Sequence, residues 1–100
     1  MDKLEIANRL GYRIDKSGSI LNPKGKTIKG HVCKAGYLIF GIKVDGKNKI
    51  INVHRLLAYQ EYGEAIFEKG IVVRHIDNVK TNNTKTNLKL GTMRDNIMDN

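Results

Sequence analysis

His75 heads the stretch of this sequence whose residue types could do chemistry. Asn87 follows it at 12 positions and Asn96 at nine more. An imidazole exchanges a proton near neutral pH, and an amide or carboxylate oxygen suits a hard divalent cation. Asp77 stands two residues beyond His75, so an extended chain would turn both side chains to one side. Asn82, Asn83 and Asn87 offer amides that pin a loop through side-chain to backbone hydrogen bonds. The spacing fits a strand, a loop, a second strand and a helix wrapped round one metal ion. His75 would sit on the first strand and a ligand, Asn96, on the helix.

The elements that must position these groups follow from hydrophobic spacing and turn residues. Ile71–His75 is an apolar strand, residues 77–86 a loop crowded with Asn, Thr and Lys, and Asn87–Leu90 a second strand. Gly91-Thr92 then forms a corner. Thr92 has the look of an N-cap with Asp95 at the third helical position, a capping box with Asp in place of Glu or Gln. The closing helix, with Met93 and Ile97 on one side and Asn96 on another, is expected to run to the last residue, which fits a fragment of a longer chain. Upstream, Val53, Leu56, Leu57 and Tyr59-Gln60 take helical spacing up to Tyr62-Gly63, where glycine ends a helix.

The first half is built differently. Residues 2–10 read as a short helix capped by Asp2 and closed by Gly11. Tyr12–Asp15, Ser19–Asn22 and Lys26–Lys29 are clipped strand-like pieces separated by Lys16-Ser17-Gly18, Pro23-Lys24-Gly25 and Gly30, which predicts meandering hairpins. Tyr37–Val44 is rich in aromatic and β-branched residues and turns back at Asp45-Gly46-Lys47 into Lys49–Val53. No internal repeat is evident. Tyr12, Tyr37 and Phe40 are expected to fill the core of the small sheet rather than to stack on bases.

Charge divides the chain. Residues 1–50 carry 11 basic and 4 acidic side chains, residues 51–100 carry 7 and 6, and the net charge is +8. Lys24, Lys26, Lys29, Lys34, Lys43, Lys47 and Lys49 are accompanied by one acid, Asp45. A basic half beside a near-neutral, chemically loaded half predicts a polyanion held by one part and processed by the other. Cys33 is the single cysteine, so no internal disulfide and no Cys-x-x-Cys zinc knuckle can form. His31 and Cys33 alone are too few ligands for structural zinc. No apolar run approaches membrane-spanning length, and the N-terminus lacks a signal-peptide apolar core. These features lead to the expectation of a protein without a membrane partner, working in a reducing cytoplasm.

The residues Val53-His54-Arg55-Leu56-Leu57-Ala58, Val73-Arg74-His75-Ile76-Asp77-Asn78, Asn82-Asn83, Asn87-Leu88, Gly91-Thr92 and Asp95-Asn96 match, in order and spacing, the HNH nuclease family. The chain resembles that family's phage-associated, homing-endonuclease-like branch over roughly residues 35–100. The stretch 10–34 looks like the small β-rich element that often precedes the motif. The resemblance implies an α+β fold: a small N-terminal antiparallel β-element followed by a ββα-metal (His-Me finger) core. Residues 1–100 would form a single domain, with about 10–52 facing DNA and about 53–100 catalytic.

The same resemblance implies roles. His75 matches the general base, Asn87 the middle asparagine that fixes the loop, and Asn96 a metal ligand through its amide oxygen. One Mg²⁺ or Mn²⁺ ion is the implied cofactor and double-stranded DNA the implied partner, in a host cytoplasm if the protein is phage-encoded. One departure stands out. Many members carry Asp, His or Asn as a further ligand directly before the catalytic histidine, and here that residue is Arg74. A guanidinium cannot bind a cation, so Asp77 is the first substitute and His54 the second, with a packing role for His54 left equally open. Arg74, Arg55 and Arg94 could each clamp a phosphate or remain solvated, and the seven lysines would contact the duplex backbone without reading its sequence. The expected activity is metal-dependent phosphodiester hydrolysis, by a monomer if one strand is nicked and by a dimer if both are cut. The alternative is a DNA-binding module whose nuclease site has decayed.

Overall fold

A computed structural model describes residues 2–84 and 87–92 of the chain. The elements run α1 (Lys3–Leu10), β1 (Arg13–Ile14), β2 (Ile20–Leu21), β3 (Thr27–Ile28), β4 (His31–Val32), β5 (Leu38–Val44), β6 (Lys47–Asn52), α2 (Val53–Tyr62), a 3₁₀ turn (Gly63–Phe67), β7 (Ile71–His75) and β8 (Leu88–Thr92). The strands form three small antiparallel sheets, β1-β2-β3, β4-β5-β6 and β7-β8. This is the expected α+β architecture.

Helix α2 organises the core. Val53, Leu56, Leu57 and Ala58 are all buried, and the helix packs against α1, β1, the β5–β6 hairpin and the β7–β8 hairpin. None of the sheets is large enough to bury a face on its own, so a shared helix is the economical way to remove their apolar sides from water. In β5 the side chains alternate, with Phe40 and Ile42 buried and Gly41 and Lys43 exposed. Ile51 pairs across from Phe40 and is buried with it. The β5–β6 connection is a two-residue loop, Asp45 at φ 51° and Gly46 at φ 76°. Both left-handed residues give the turn the twist that a tight hairpin needs.

Capping of α1 follows the sequence reading. The Asp2 side chain accepts from the Leu4 N–H at 2.8 Å, and Gly11 closes the helix in the left-handed region. Strand β6 starts at Lys47, two residues earlier than expected, because the tight turn lets Lys47 pair with Val44. The short strand β4 and the 3₁₀ turn after Gly63 carry no periodic signal in so few residues and were not anticipated. Gly91 and Thr92, expected as a corner, instead lie in the ladder: Gly91 pairs with Val72 and Thr92 with Ile71. The helix expected beyond them, with Arg94 and Asn96, lies outside the described residues.

Three turns of the first half share one geometry. Asp15–Gly18, Asn22–Gly25 and Cys33–Gly36 each close with the glycine N–H donating to the carbonyl of the first residue, at 2.9–3.0 Å. All three glycines have positive φ. In the first two, the leading side chain also accepts from two later backbone N–H groups. Identity at a single glycine in each unit is too sparse to stand out as a sequence repeat.

Strand β1 is held to α2 by one side chain. The Gln60 amide accepts from the Ile14 N–H at 2.8 Å and donates to the Ile14 carbonyl at 3.1 Å, as a neighbouring strand would. Gln60→Ala leaves both backbone groups of the buried Ile14 without that partner, so urea unfolding should show a loss of about 1–3 kcal/mol with the far-UV spectrum unchanged. A loss under about 0.5 kcal/mol, the ordinary range for surface changes, would contradict this role.

Candidate active site

Strand β7 delivers His75 to the end of the β7–β8 hairpin, where it pairs with Leu88 and is buried. The chain then leaves the strand at once. The Asn78 N–H donates back to the His75 carbonyl at 3.0 Å, and Asn78 itself adopts φ 61°. Asp77 is therefore part of a turn inside the expected loop, and the chain there is not the extended one that would turn it to the His75 side.

The loop from Ile76 to Asn87 is tied by polar side chains, as its composition suggested. Asn87 does most of the tying. Its Oδ1 accepts from the Asp77 N–H at 3.2 Å, and its Nδ2 donates to Asp77 Oδ1 at 3.0 Å and to the Asn82 carbonyl at 2.9 Å. The Asn87 carbonyl accepts from the Ile76 N–H at 2.8 Å. Asp77 also accepts from the Val79 N–H at 2.9 Å and from Asn82 Nδ2 at 2.6 Å. The Asn82 amide, then the Val79 N–H, hold the Asp77 carboxyl below its ordinary value, with smaller contributions from Asn87 and the nearby His75 charge.

The His75 ring is held by neighbours from three elements. Its Nε2 lies 2.8 Å from Asn83 Oδ1, and Asn83 is 2 % exposed. Its ring centroid is 5.3 Å from that of His54 on α2 and 6.2 Å from that of Tyr37. Tyr37 stacks on His54 at 4.7 Å and 22°. Lys80, from the loop, covers the Tyr37 ring at 4.9 Å and donates to the Ala35 carbonyl at 2.9 Å. A cation over a tyrosine face adds attraction to the packing.

His54 packs between Tyr37 and His75. Its Nδ1 is buried and has no hydrogen-bond partner among the described residues. Burial, then the charges of His75 and Arg55, lower its pKa to about 3. It is neutral near physiological pH. Tyr37 was expected in the core of the small sheet, and its place against His54 had no signal in the sequence. Asn83 was read only as a loop-pinning amide; the Asn82-Asn83 pair marked the right place without showing which amide meets the imidazole.

Arg74 pairs with Lys89 across the hairpin. Neighbouring strand residues alternate sides, so the Arg74 side chain leaves β7 opposite to that of His75. Arg55 is half-buried in the first turn of α2, and Lys24, Lys26, Lys29, Lys34, Lys43, Lys47 and Lys49 are all exposed. The described donors do not by themselves make a divalent-metal site: no group of three or more His, Cys, Asp or Glu could hold an ion among the described residues. Asp77 is the anionic group beside His75, and its oxygens already accept three hydrogen bonds in the loop.

The sequence pattern of the HNH endonuclease family matches residues 52–98, which takes in α2, the β7–β8 hairpin and the His75 loop. The chain belongs to the HNH endonuclease family. It is 39% identical over 87 residues to DNA endonuclease I-HmuI of Bacillus phage SP01, covering 86% of this chain and 49% of that protein. It is 33% identical over 96 residues to an uncharacterized HNH endonuclease of Acanthamoeba polyphaga mimivirus, covering 95% of this chain and 28% of the other. The solved structure of I-HmuI, described as an HNH homing endonuclease that binds and cleaves DNA, superposes with a TM-score of 0.73 at 37% identity, over 88% of this chain and 50% of that one. The chain spans about half the length, or less, of these relatives. No helix among the described residues is long and apolar enough to cross a membrane.

The neutral His54 ring makes stability pH-dependent. Its folded pKa lies below its unfolded value of 6.5, so the unfolded chain binds the proton more readily. The contribution is complete above pH 6.5 and is lost as pH falls toward 3, on the order of a few kcal/mol in all. Asp77, also depressed, adds its loss only further into acid, below its ordinary value. Urea unfolding in metal-free buffer should show falling stability below pH 6.5, and His54→Phe should flatten that segment. An unchanged pH profile in the variant would show that His54 is not the source.

Proposed function

We propose that this chain is the catalytic part of a DNA endonuclease that hydrolyses phosphodiester bonds in double-stranded DNA with the help of one Mg²⁺ or Mn²⁺ ion. The observation that carries this reading is the His75 ring held at the strand end beside a tied polar loop, which turns of the N-terminal β-element contact. His75 acts as general base. It takes a proton from water as the water oxygen bonds to phosphorus, and the bond from phosphorus to the 3′ oxygen breaks. The products are a 5′-phosphate and a 3′-hydroxyl. Asn87 keeps the loop in shape. A divalent ion held by Asn96 and Asp77 would stabilise charge on the phosphate and on the departing oxygen. Arg55, Arg94 and the lysines of residues 24–49 contact the duplex backbone. One site per chain suits nicking by a monomer; cutting both strands requires a dimer or a second binding event.

A second reading has a specific observation in its favour. Arg74 stands where many HNH proteins carry a metal ligand, and it faces Lys89 across the ladder. Like charges placed directly opposite oppose pairing, so this cation pair fits a phosphate-gripping surface better than an inherited metal site. On that reading the protein binds DNA and no longer cuts it.

A plasmid assay separates the two. Supercoiled DNA incubated with Mg²⁺ or Mn²⁺ should be nicked, EDTA should stop the reaction, and His75→Ala should slow it by about 10²–10⁴-fold. Arg74→Asp should weaken DNA retardation, because it puts an anion in place of a cation opposite Lys89. Intact plasmid in every metal, with DNA retardation that weakens with salt at a log–log slope of roughly −0.9 per phosphate neutralised, would favour the binding module and overturn the enzyme.

A further inference from the structure

The repeated turns of the N-terminal element differ in what they face. A Cβ on Gly25 would meet nothing within 4 Å. A Cβ on Gly36 would lie 3.3 Å from Lys80 Cδ, in the loop that follows His75. At Gly18 it would lie 2.7 Å from the Asn83 carbonyl oxygen, 3.4 Å from the carbonyl carbon and 3.8 Å from Asn83 Cβ. Two of the three turns therefore press on the His75 loop, the first of them backbone against backbone. No flexible side-chain end lies between Gly18 and Asn83 to absorb a change.

The pressing turn is itself stiff. Asp15 Oδ1 accepts from the Ser17 N–H at 3.0 Å, the Ser17 hydroxyl at 2.8 Å and the Ser19 N–H at 2.9 Å. Gly18 sits at φ +87° and donates to the Asp15 carbonyl at 3.0 Å. On the far side of the contact, Asn83 is almost wholly buried and puts Oδ1 on His75 Nε2. Its Nδ2 is buried with no partner among the described residues. The amide thus makes one polar side-chain contact there, and that contact is to the imidazole. A carboxamide oxygen accepts and cannot donate, so a neutral ring facing it carries its hydrogen on Nε2.

We propose that Asn83 is a positioning residue for His75, and that the Asp15–Gly18 turn holds it in place. Asn83 Oδ1 accepts the Nε2–H, which leaves the Nδ1 lone pair as the basic position. The proposal rests on the reading of His75 as general base. It adds that the N-terminal β-element, besides carrying basic residues, is a mechanical support of that base. A ring free to change tautomer or to tilt would present its lone pair to the attacking water for only part of the time, and small misplacements of a reacting group cost rate steeply.

The test reads the imidazole directly. Long-range ¹H–¹⁵N spectra of histidine-labelled protein, at a pH where the ring is neutral, should show His75 as the Nε2–H tautomer. Asn83→Ala should lose that preference and lower kcat by on the order of 10²-fold with KM for DNA unchanged. Gly18→Ala should shift the His75 signals in the same direction. Gly25→Ala places the same strain on a left-handed glycine but faces open space, and should leave them where they are. An Nδ1–H tautomer in the wild-type protein overturns the proposal, and so do His75 signals that respond equally to Gly18→Ala and Gly25→Ala. If Asn83→Ala does not fold, as judged by its thermal melt, the wild-type tautomer and the two glycine variants still decide. Undiminished cleavage by His75→Ala would remove the base assignment while leaving the tautomer result intact, so the two failures are distinguishable.

Discussion

A single buried hydrogen bond, from His75 Nε2 to Asn83 Oδ1 at 2.8 Å, ties together parts of the chain that sequence keeps far apart. His75 ends β7. Asn83 lies in the polar loop, and behind it stands the Gly18 turn from the other half of the molecule. Around the same ring, His54 from α2 and Tyr37 from the edge of β5 supply flat apolar surface. Burial keeps His54 neutral, so the cluster packs two imidazoles together without packing two charges. The rest of the fold serves this junction. Helix α2 is the shared core against which the small sheets rest, and it brings His54 and the β7–β8 hairpin to one place.

The loop beside His75 shows how a polar segment can be rigid without a core of its own. Asn87, Asp77 and Asn82 hydrogen-bond one another and the backbone at both ends of the loop. The same economy limits Asp77 as a metal ligand, since its carboxylate is already engaged in the loop. Arg74, opposite Lys89, contributes positive charge at the position where a ligand is usual in the family, and this makes the chain a test of how much of an HNH site one substitution removes.

Much of this was legible in the amino-acid order, for identifiable reasons. The β7–β8 hairpin and its loop announce themselves because the pattern is local: an apolar strand, then turn-forming amides, then a strand. Asp2 and Gly11 mark α1 by capping chemistry that is local by nature. What stayed hidden depends on contacts between distant residues. Gln60 completing β1, Tyr37 lying on His54, and Gly18 pressing on Asn83 are matters of tertiary packing, and no window along the chain contains both partners. The shared side expected for His75 and Asp77 required extended chain, and the strand ends at His75. Gly91 and Thr92 read as a corner by residue type, but pairing with Val72 and Ile71 overrides that preference.

Structure determination of the protein bound to a DNA duplex would bear on all of this at once. The expected result is His75 Nδ1 facing a backbone phosphate through one water, at heavy-atom distances of roughly 2.6–3.2 Å, with Nε2 still on Asn83. A duplex seated elsewhere, with the imidazole remote from every phosphate, would contradict the assignment of His75 as the group that activates water.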